Sequence, residues 1–225
     1  DGVGTLEPLP ALTGTVTGTV FEGDGTTTVQ DATLNLVSSS PYFGRRRQFT
    51  STTGGAFSVT GLAGGALPIP TAPFTITATH PGSGNAGPAT QGSFAEGQTT
   101  ATLNVLFTNL GVIEGTVRRA NGVLAPDVRV TLQTATGSHL DERTTNENGL
   151  FRFGGVTPGT RRLAGEQNHP QGTGITSLPV DVTVLAGQKV TPQLTLEQAG
   201  SLLVTLVNAS GVPVGGGALV DGGAG

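Results

Sequence analysis

The clearest structural signal in the chain is TTNENGLFRFGGVTPG, residues 144–159. Its Asn148-Gly149 pair is a strong turn signal, because asparagine and glycine adopt a positive φ angle at low cost. Phe151 and Phe153 then alternate with Arg152, as expected of a strand that buries one of its faces. The stretch therefore predicts a turn, a short strand and a second turn formed by proline and glycine.

The same pattern occurs earlier in the chain as STTGGAFSVTGLAGG, residues 51–65. Its key positions recur 94 residues later (149 − 55 = 94), which indicates an internal repeat of the size of a domain. The matching pairs are Gly55 with Gly149, Phe57 with Phe151, Val59 with Phe153 and Gly61 with Gly155.

Other markers extend the repeat in both directions. They are Gly18-Thr19-Val20 with Gly115-Thr116-Val117, residues 32–36 with 128–132, and His80-Pro81 with His169-Pro170. A third copy begins at Gly200, where residues 201–212 parallel residues 112–123. The predicted organisation is a linker or the tail of a preceding domain (1–10), sandwich repeat 1 (11–110), sandwich repeat 2 (111–199) and the start of an incomplete repeat 3 (200–225).

This pattern resembles the carboxypeptidase regulatory-like (transthyretin-like) β-sandwich family and, more loosely, the B-type repeats of bacterial surface proteins. The family pattern is G-x-V, a turn, a V-x-V/L strand and then T-x-x-x-G-x-F-x-F-x-x-L-x-x-G-x-Y. The matching positions are Gly115, Val117, Val128, Val130, Leu132, Thr145, Gly149, Phe151, Phe153, Val156 and Gly159. Arg161 stands where the family has its last aromatic residue. The resemblance implies a β-sandwich with an accessory or structural role rather than a catalytic one.

Composition agrees with an all-β fold. The 225 residues suffice for two compact domains, and 37 Gly and 14 Pro favour short strands joined by turns. We therefore predict tandem antiparallel immunoglobulin-like or transthyretin-like sandwiches, stacked as a rod because the junctions between repeats are short. The predicted strands are 15–21, 32–37, 56–60, 73–79, 101–107, 112–118, 127–134, 150–154, 179–185 and 190–196.

Charge and hydropathy narrow the classes of partner. A net charge of −4 argues against nucleic acid, and no apolar run is long enough to span a membrane. The absence of cysteine excludes disulfides and thiolate metal sites. Only 12% of residues are charged, which fits either an ordinary polar secreted surface or a surface selected to pack against copies of itself.

No residue pattern predicts catalysis, a cofactor or a bound metal. The histidines His80, His139 and His169 form no apparent Ser-His-acid arrangement, and we expect His80 and His169 to lie a domain apart at strand ends. Calcium sites need several closely spaced aspartates, which the turns lack. We expect the turn acids to be solvated; they are Glu22, Asp24, Asp127, Asp141, Glu142 and Glu147.

One loop, residues 40–48, has a composition suited to binding. Its candidate partner-binding residues are Tyr42, Phe43, Arg45, Arg46 and Arg47. Aromatic rings beside arginines stack on sugars or grip acidic partners. The alternative is that the two aromatic residues cover an edge of the sandwich while the arginines stay solvated.

The Lys–Asn amide cross-link found in some B-type domains is not expected here. That arrangement places its lysine in the first strand, whereas the single lysine of this chain, Lys189, lies near a late strand. The first repeat contains no lysine at all.

The third copy is too short to close a sandwich, since an isolated hairpin is marginally stable in water. Three alternatives are open: the natural chain continues, residues 201–220 add a strand to a neighbouring molecule, or they form a disordered tail. We expect a native polypeptide longer than 225 residues, which an intact mass measurement on native material would test.

Taken together, the sequence predicts a non-enzymatic structural segment of a larger secreted or cell-surface protein, bacterial in origin, that acts as a stalk or assembles into a filament. Its expected partners are copies of itself or neighbouring domains of the same chain. Two alternatives stay open: an adhesin or carbohydrate-binding module that uses the 40–48 loop to bind a glycan or surface protein, and an accessory domain of a secreted peptidase.

Overall fold

The computed structural model describes residues 13–40, 45–60, 69–168, 174–197, 200–204, 207–212 and 218–222. The chain divides into two compact units. Unit 1 comprises Asp1–Ile113, Phe153–Gly159 and Val184–Lys189, and unit 2 comprises Glu114–Arg152, Thr160–Thr183 and Val190–Gly225. In the part of the chain described, regular structure consists of β-strands and one 3-10 turn at Thr53–Gly55, so the predicted all-β class is confirmed.

The strands are numbered in chain order. The first nine are β1 (Thr13–Phe21), β2 (Thr33–Ser38), β3 (Arg46–Thr50), β4 (Ala56–Val59), β5 (Ile69–Pro70), β6 (Phe74–Thr79), β7 (Thr90–Gly92), β8 (Thr100–Thr102) and β9 (Val105–Leu106). The next nine are β10 (Gly111–Arg118), β11 (Arg129–Thr134), β12 (His139–Thr144), β13 (Leu150–Val156), β14 (Gly159–Gln167), β15 (Ile175–Thr176), β16 (Val180–Val184), β17 (Lys189–Val190) and β18 (Gln193–Thr195). The last two are β19 (Gly200–Val204) and β20 (Ala218–Gly222).

The same strand pairing occurs twice along the chain. β1 pairs with β4 and β5 and, in parallel, with β8 and β9, while a second sheet has the order β3-β2-β6-β7. Correspondingly, β10 pairs with β13 and β17 and, in parallel, with β18, while a further sheet has the order β12-β11-β14-β15 with β16 beside β14. Each central strand thus receives a late strand of its own repeat in parallel.

The predicted alternation of buried and exposed residues is confirmed in the strands that carry the repeat. Phe57 and Val59 are buried in β4, and their neighbours Ala56 and Ser58 are exposed. In β13, Phe151 is 2% exposed and Phe153 is fully buried, whereas Arg152 between them is half-buried. Burial of large aromatic and aliphatic side chains contributes most of the favourable free energy of such small cores.

The glycine of each Gly-Thr-Val marker packs under a phenylalanine ring. A Cβ atom on Gly115 would lie 2.5 Å from the carbonyl oxygen of Pro192 and would also collide with Cζ of Phe151. A Cβ atom on Gly18 would lie 2.7 Å from Cζ of Phe57. The marker glycines are therefore needed for close approach of the ring and of the adjacent backbone.

A buried hydroxyl group joins two backbone segments at the same position of each repeat. The hydroxyl of Ser51 donates to the carbonyl of Val29 at 2.7 Å and accepts from the N–H of Ala32 at 3.0 Å. The hydroxyl of Thr145 donates to the carbonyl of Ala125 at 2.8 Å and accepts from the N–H of Val128 at 2.9 Å. Both side chains are buried, so each hydroxyl satisfies backbone groups that water does not reach.

The structure also contains strands that the sequence pattern did not predict, most clearly β3, β12 and β14. Charged residues are frequent in all three, and β3 and β12 lie at sheet edges, where little apolar alternation is required. The predicted strands 101–107 and 190–196 are each interrupted, because backbone pairing stops between β8 and β9 and between β17 and β18.

At the start of the third copy, β19 and β20 form an antiparallel pair. The turn at residues 208–212 has the same hydrogen bond as the turn at residues 119–123 of the second copy. The N–H of Asn208 donates to the carbonyl of Val212 at 2.9 Å, as the N–H of Arg119 donates to that of Val123 at 2.8 Å. Among the residues described, no helix has the length and apolar character required to cross a membrane.

Candidate functional site

A buried pair of ionisable side chains lies in unit 1. Nε2 of His80 is 3.2 Å from Oε1 of Glu22, although the two residues are 58 positions apart in the chain. Glu22 is 2% exposed and His80 is 6% exposed. Glu22 follows the end of β1, and His80 follows the end of β6, so two strand ends bring the pair together.

The backbone around His80 selects its tautomer. Nδ1 accepts hydrogen bonds from the N–H groups of Gly82 and Ser83, at 3.2 and 3.3 Å. An acceptor nitrogen in a neutral imidazole carries no proton, so the proton is on Nε2 and is donated to Glu22. The ring of Phe107 packs against the imidazole edge-on, with centroids 5.2 Å apart.

A pair of glycines from β13 packs directly on these side chains. The N–H of Gly155 donates to Oε2 of Glu22 at 3.3 Å, and Nδ2 of Asn85 donates to the carbonyl of Gly155 at 3.0 Å. Gly155 has a φ angle of 63°, and a Cβ atom there would lie 2.5 Å from Cγ of His80. A Cβ atom on Gly154 would collide with Oε1 of Glu22. We call the surface formed by Glu22, His80, Asn85 and Phe107 the glycine seat.

The side chains of the glycine seat bind backbone groups of Gly155. Both carboxylate oxygens of Glu22 accept hydrogen bonds, one from an imidazole and one from a peptide N–H. The prediction that Glu22 is a solvated turn acid is therefore wrong. Its burial results from contacts with His80 and with Gly155, which lies 133 residues further along the chain. A local sequence pattern gives no indication of partners at such a distance.

The other turn acids differ from Glu22 in their surroundings. Asp127, Glu142 and Glu147 are exposed, as predicted, while Asp24 and Asp141 are half-buried. Burial raises the pKa of Asp24, but hydrogen bonds from Thr27 and Thr26 outweigh this effect and lower it to about 2. Asp24 thus acts as an acceptor within its own turn.

The remaining histidines add nothing to the Glu22–His80 pair in the part of the chain that the structure describes. His139 is exposed at the start of β12, 4.0 Å from Glu142, and His169 falls outside the described residues. In the described part of the chain, no three or more His, Asp or Glu residues cluster closely enough to hold a metal ion.

The candidate binding loop is described only in part. Tyr42 and Phe43 fall outside the described residues. Arg45 and Arg46 are exposed and Arg47 is half-buried, the latter two within the edge strand β3. Arg46 pairs with Val37 and Arg47 with Leu36 in the register of the sheet.

Comparison with solved structures gave matches at low identity and low TM-score. The shaft pilin SpaA of Lactobacillus rhamnosus GG is 13% identical, with 84% of this chain and 98% of that chain covered and a TM-score of 0.39. A minor pilin of Streptococcus agalactiae is 11% identical over 82% of this chain and 96% of that chain, with a TM-score of 0.34. The Bacillus anthracis TIE protein is 16% identical over 88% of this chain and 36% of that chain, with a TM-score of 0.35. At these scores the similarities carry no argument about function.

A search of curated protein sequences gave no significant match. The comparison with family models matched residues 112–197 to the carboxypeptidase regulatory-like domain. This segment contains every position from Gly115 to Gly159 on which the sequence resemblance rests. Residues 112–197 thus match the carboxypeptidase regulatory-like domain family, as their sequence pattern predicted.

Proposed function

We propose that this chain is a structural, non-enzymatic segment of a larger secreted or cell-surface protein. In this proposal, successive β-sandwich repeats, 11–110 and 111–199, form a stalk or associate into an extracellular filament. Residues 200–225 begin a further repeat of the same kind. The partners of the chain are copies of itself or neighbouring domains of the same polypeptide.

The observation that carries the proposal is that the same structural contacts occur once within each of the two repeats. The buried hydroxyl bridges of Ser51 and Thr145 recur in equivalent places, as do the rings packed on Gly18 and Gly115. The contacts that occur in both repeats are therefore contacts that stabilise the fold. The ionisable positions differ: the glycine seat uses Glu22 where the second repeat has Arg119.

The surroundings of the glycine seat support the non-enzymatic part of the proposal. Glu22 and His80 form a buried ionisable pair in unit 1, and each also bonds to peptide groups. A general acid or base needs a proton-transfer partner within reach of its reacting atom. Glu22 and His80 are 2% and 6% exposed, so a dissolved substrate does not reach their proton-transferring atoms.

Small-angle scattering of the purified chain tests the stacking of repeats. A compact single globule of 225 residues has a radius of gyration of about 17 Å. We expect a clearly larger value with an elongated distance distribution. A value near that of the compact globule would contradict a stalk.

Negative-stain electron microscopy of native material then separates the two forms of the proposal. Regular filaments with an axial repeat of a few domain lengths indicate a filament subunit. Dispersed short rods indicate a stalk. Globular particles would contradict both forms.

The exposure of Arg45 and Arg46 favours a second candidate, an adhesive role for the 40–48 loop. Two exposed guanidinium groups, one just before the edge strand β3 and one at its first residue, attract acidic groups of a glycan or protein. Replacement of Arg45, Arg46 and Arg47 by alanine tests this role. Unchanged attachment to surfaces and unchanged self-assembly would remove the loop from consideration.

A further inference from the structure

The second repeat has its own counterpart of the glycine seat, which the backbone hydrogen bonds locate. Val20 and Val117 accept equivalent bonds, from the N–H groups of Val29 and Ala125. The residues two positions later, Glu22 and Arg119, therefore correspond. In each case, this residue's carbonyl accepts from a glycine three positions on, Gly25 or Gly122.

The other two positions follow in the same way. The N–H of Phe107 donates to the carbonyl of Phe21, and the N–H of Leu196 donates to that of Arg118, so Phe107 corresponds to Leu196. In the sheet register, Thr79 pairs with Thr33 at the start of β2, and Glu166 pairs with Arg129 at the start of β11. The next residues, His80 and Gln167, therefore correspond. The sequence marker had matched His80 with His169 instead.

The two sets of residues have different surroundings. In unit 1, Glu22 and His80 are buried under Gly154 and Gly155. In unit 2, their counterparts line an open cavity of about 260 Å³, with Arg119 exposed and Gln167 half-buried. The lining includes Arg119, Asn121, Gln167, Ile175, Leu196 and Glu197.

The chemistry of the cavity suits exposed backbone groups of a glycine pair. Leu196 is buried and Ile175 is half-buried. They supply apolar surface to the cavity, as Phe107 does in the glycine seat. Glu22 accepts a peptide N–H, whereas Arg119 is a cation that carries five N–H donors and so fits peptide carbonyl groups. Glu197 adds a carboxylate that can accept a peptide N–H. The cavity therefore offers a cation and a carboxylate to a glycine segment that exposes its backbone.

We propose that this cavity is the docking site for the glycine pair near the end of the β13-type strand of a further β-sandwich repeat of the same polypeptide. The glycines that fill the seat in unit 1 come from β13, a strand of the second repeat in sequence, which is the precedent for this occupant. The absence of a Cβ atom at the contact is the recognition feature, since none fits at Gly154 or Gly155. The inference rests on the proposed function, because it requires further repeats of this kind.

Disulfide trapping tests this docking, because the chain contains no cysteine. Ala120 lines the cavity and is exposed, so Ala120→Cys in the full chain introduces one thiol at its rim. The probe is a peptide of residues 150–159, LFRFGGVTPG, with a cysteine added at its N terminus. In a redox buffer of a small-molecule disulfide and its thiol, the mixed disulfide forms by thiol–disulfide exchange as the small disulfide is reduced. Intact mass spectrometry then measures the fraction of mixed disulfide against a scrambled peptide of the same composition. We expect a preference of about tenfold or more for the native sequence, since weak binding raises the local concentration of the thiol.

Two variants and one altered peptide make the result specific. Arg119→Ala in the Ala120→Cys chain should reduce trapping of the native peptide to the level of the scrambled peptide. Circular dichroism checks that this variant keeps the fold. Thr183→Cys, on the exposed side of β16, should show no preference for either peptide. A peptide with alanine in place of Gly154 and Gly155 should lose the preference.

Equal trapping of native and scrambled peptides at Ala120→Cys would overturn the proposal, and so would a preference that survives Arg119→Ala. Self-association of the unmodified chain that Arg119→Ala abolishes would assign the cavity to a second copy instead, and would overturn the stated occupant. These outcomes are independent of the scattering measurement, so a stalk can stand while this docking fails.

Discussion

Nε2 of His80 lies 3.2 Å from Oε1 of Glu22, and the second oxygen of the same carboxylate accepts the N–H of Gly155. One buried carboxylate therefore joins two backbone segments that are 58 and 133 residues away from it. A buried polar group stabilises a fold when its hydrogen bonds are made and destabilises it when a partner is removed. The first prediction follows from this asymmetry.

Replacing Glu22 by alanine should destabilise unit 1, because it leaves the donors of His80 and Gly155 without their acceptor. Each buried donor left unsatisfied costs about 1–3 kcal/mol. Urea denaturation measures the change in the free energy of unfolding. Glu142→Ala is the control, since Glu142 is exposed, and it should be close to neutral. Equal stability of the two variants would contradict the structural role of Glu22.

Replacing Thr145 by valine should destabilise the second repeat while keeping its shape. Valine is close to isosteric with threonine but provides neither the donor to Ala125 nor the acceptor for Val128. We expect a loss of about 1–3 kcal/mol for each backbone group left unsatisfied. The matched control is Thr144→Val, because Thr144 is the exposed neighbour in β12. A loss no greater than that of the control would show that the hydroxyl bridge contributes nothing.

Replacing Gly115 by alanine should destabilise unit 2 through steric conflict with the backbone. The new Cβ atom would meet the ring of Phe151 and lie 2.5 Å from the carbonyl oxygen of Pro192. Overpacking of this kind costs about 1–3 kcal/mol or more. Adding Phe151→Leu should not restore stability, because the conflict with the carbonyl oxygen persists. Recovery in the double variant, measured by thermal unfolding, would show that the ring alone requires the glycine.

The turn acid Asp24 should make stability depend on pH in the acidic range. Its pKa is about 2 in the folded chain, below the ordinary value of 3.8. A depressed folded pKa means that the stabilisation is fully present above pH 4 and is lost as the pH falls towards 2. The contribution should be on the order of 1 kcal/mol, since the turn is partly solvated.

The measurement compares the free energy of unfolding of the wild-type chain and of Asp24→Asn between pH 2 and pH 7. The wild type should be the more stable at neutral pH, and the difference should shrink below pH 4. A difference that is constant with pH would contradict the assignment to the Asp24 carboxylate.

Much of the fold was predictable because its signals are local. The alternation of Phe151 and Phe153 with Arg152 reflects the two-residue period of a strand. The recurrence of Gly18 with Gly115 and of Phe57 with Phe151 marked positions that pack in the same way in each repeat. Edge strands such as β3 and β12 escaped prediction, because their sequences carry charged residues and bury little.

The strand β14 shows how pairing overrides local pattern. Residues 159–167 include two adjacent arginines and only one buried aliphatic side chain, Leu163. Their strand conformation is set by pairing with β11, residue by residue from Arg129 with Glu166 to Thr134 with Arg161. A single-sequence pattern contains no information about that partner.

Local signals in the sequence were enough to predict the all-β class, the recurrence of the glycine and phenylalanine markers, and the match of residues 112–197 to the carboxypeptidase regulatory-like domain, because each depends on short-range periodicity and turn chemistry. The burial of Glu22 against His80 and Gly155, and the open cavity lined by the corresponding Arg119 and Gln167, are seen in the three-dimensional structure alone. The burial of a charged side chain depends on which distant groups satisfy its hydrogen bonds, and a local sequence pattern does not contain them. Strand ends and the glycine pair of β13 bring those groups together, although they are far apart in the chain.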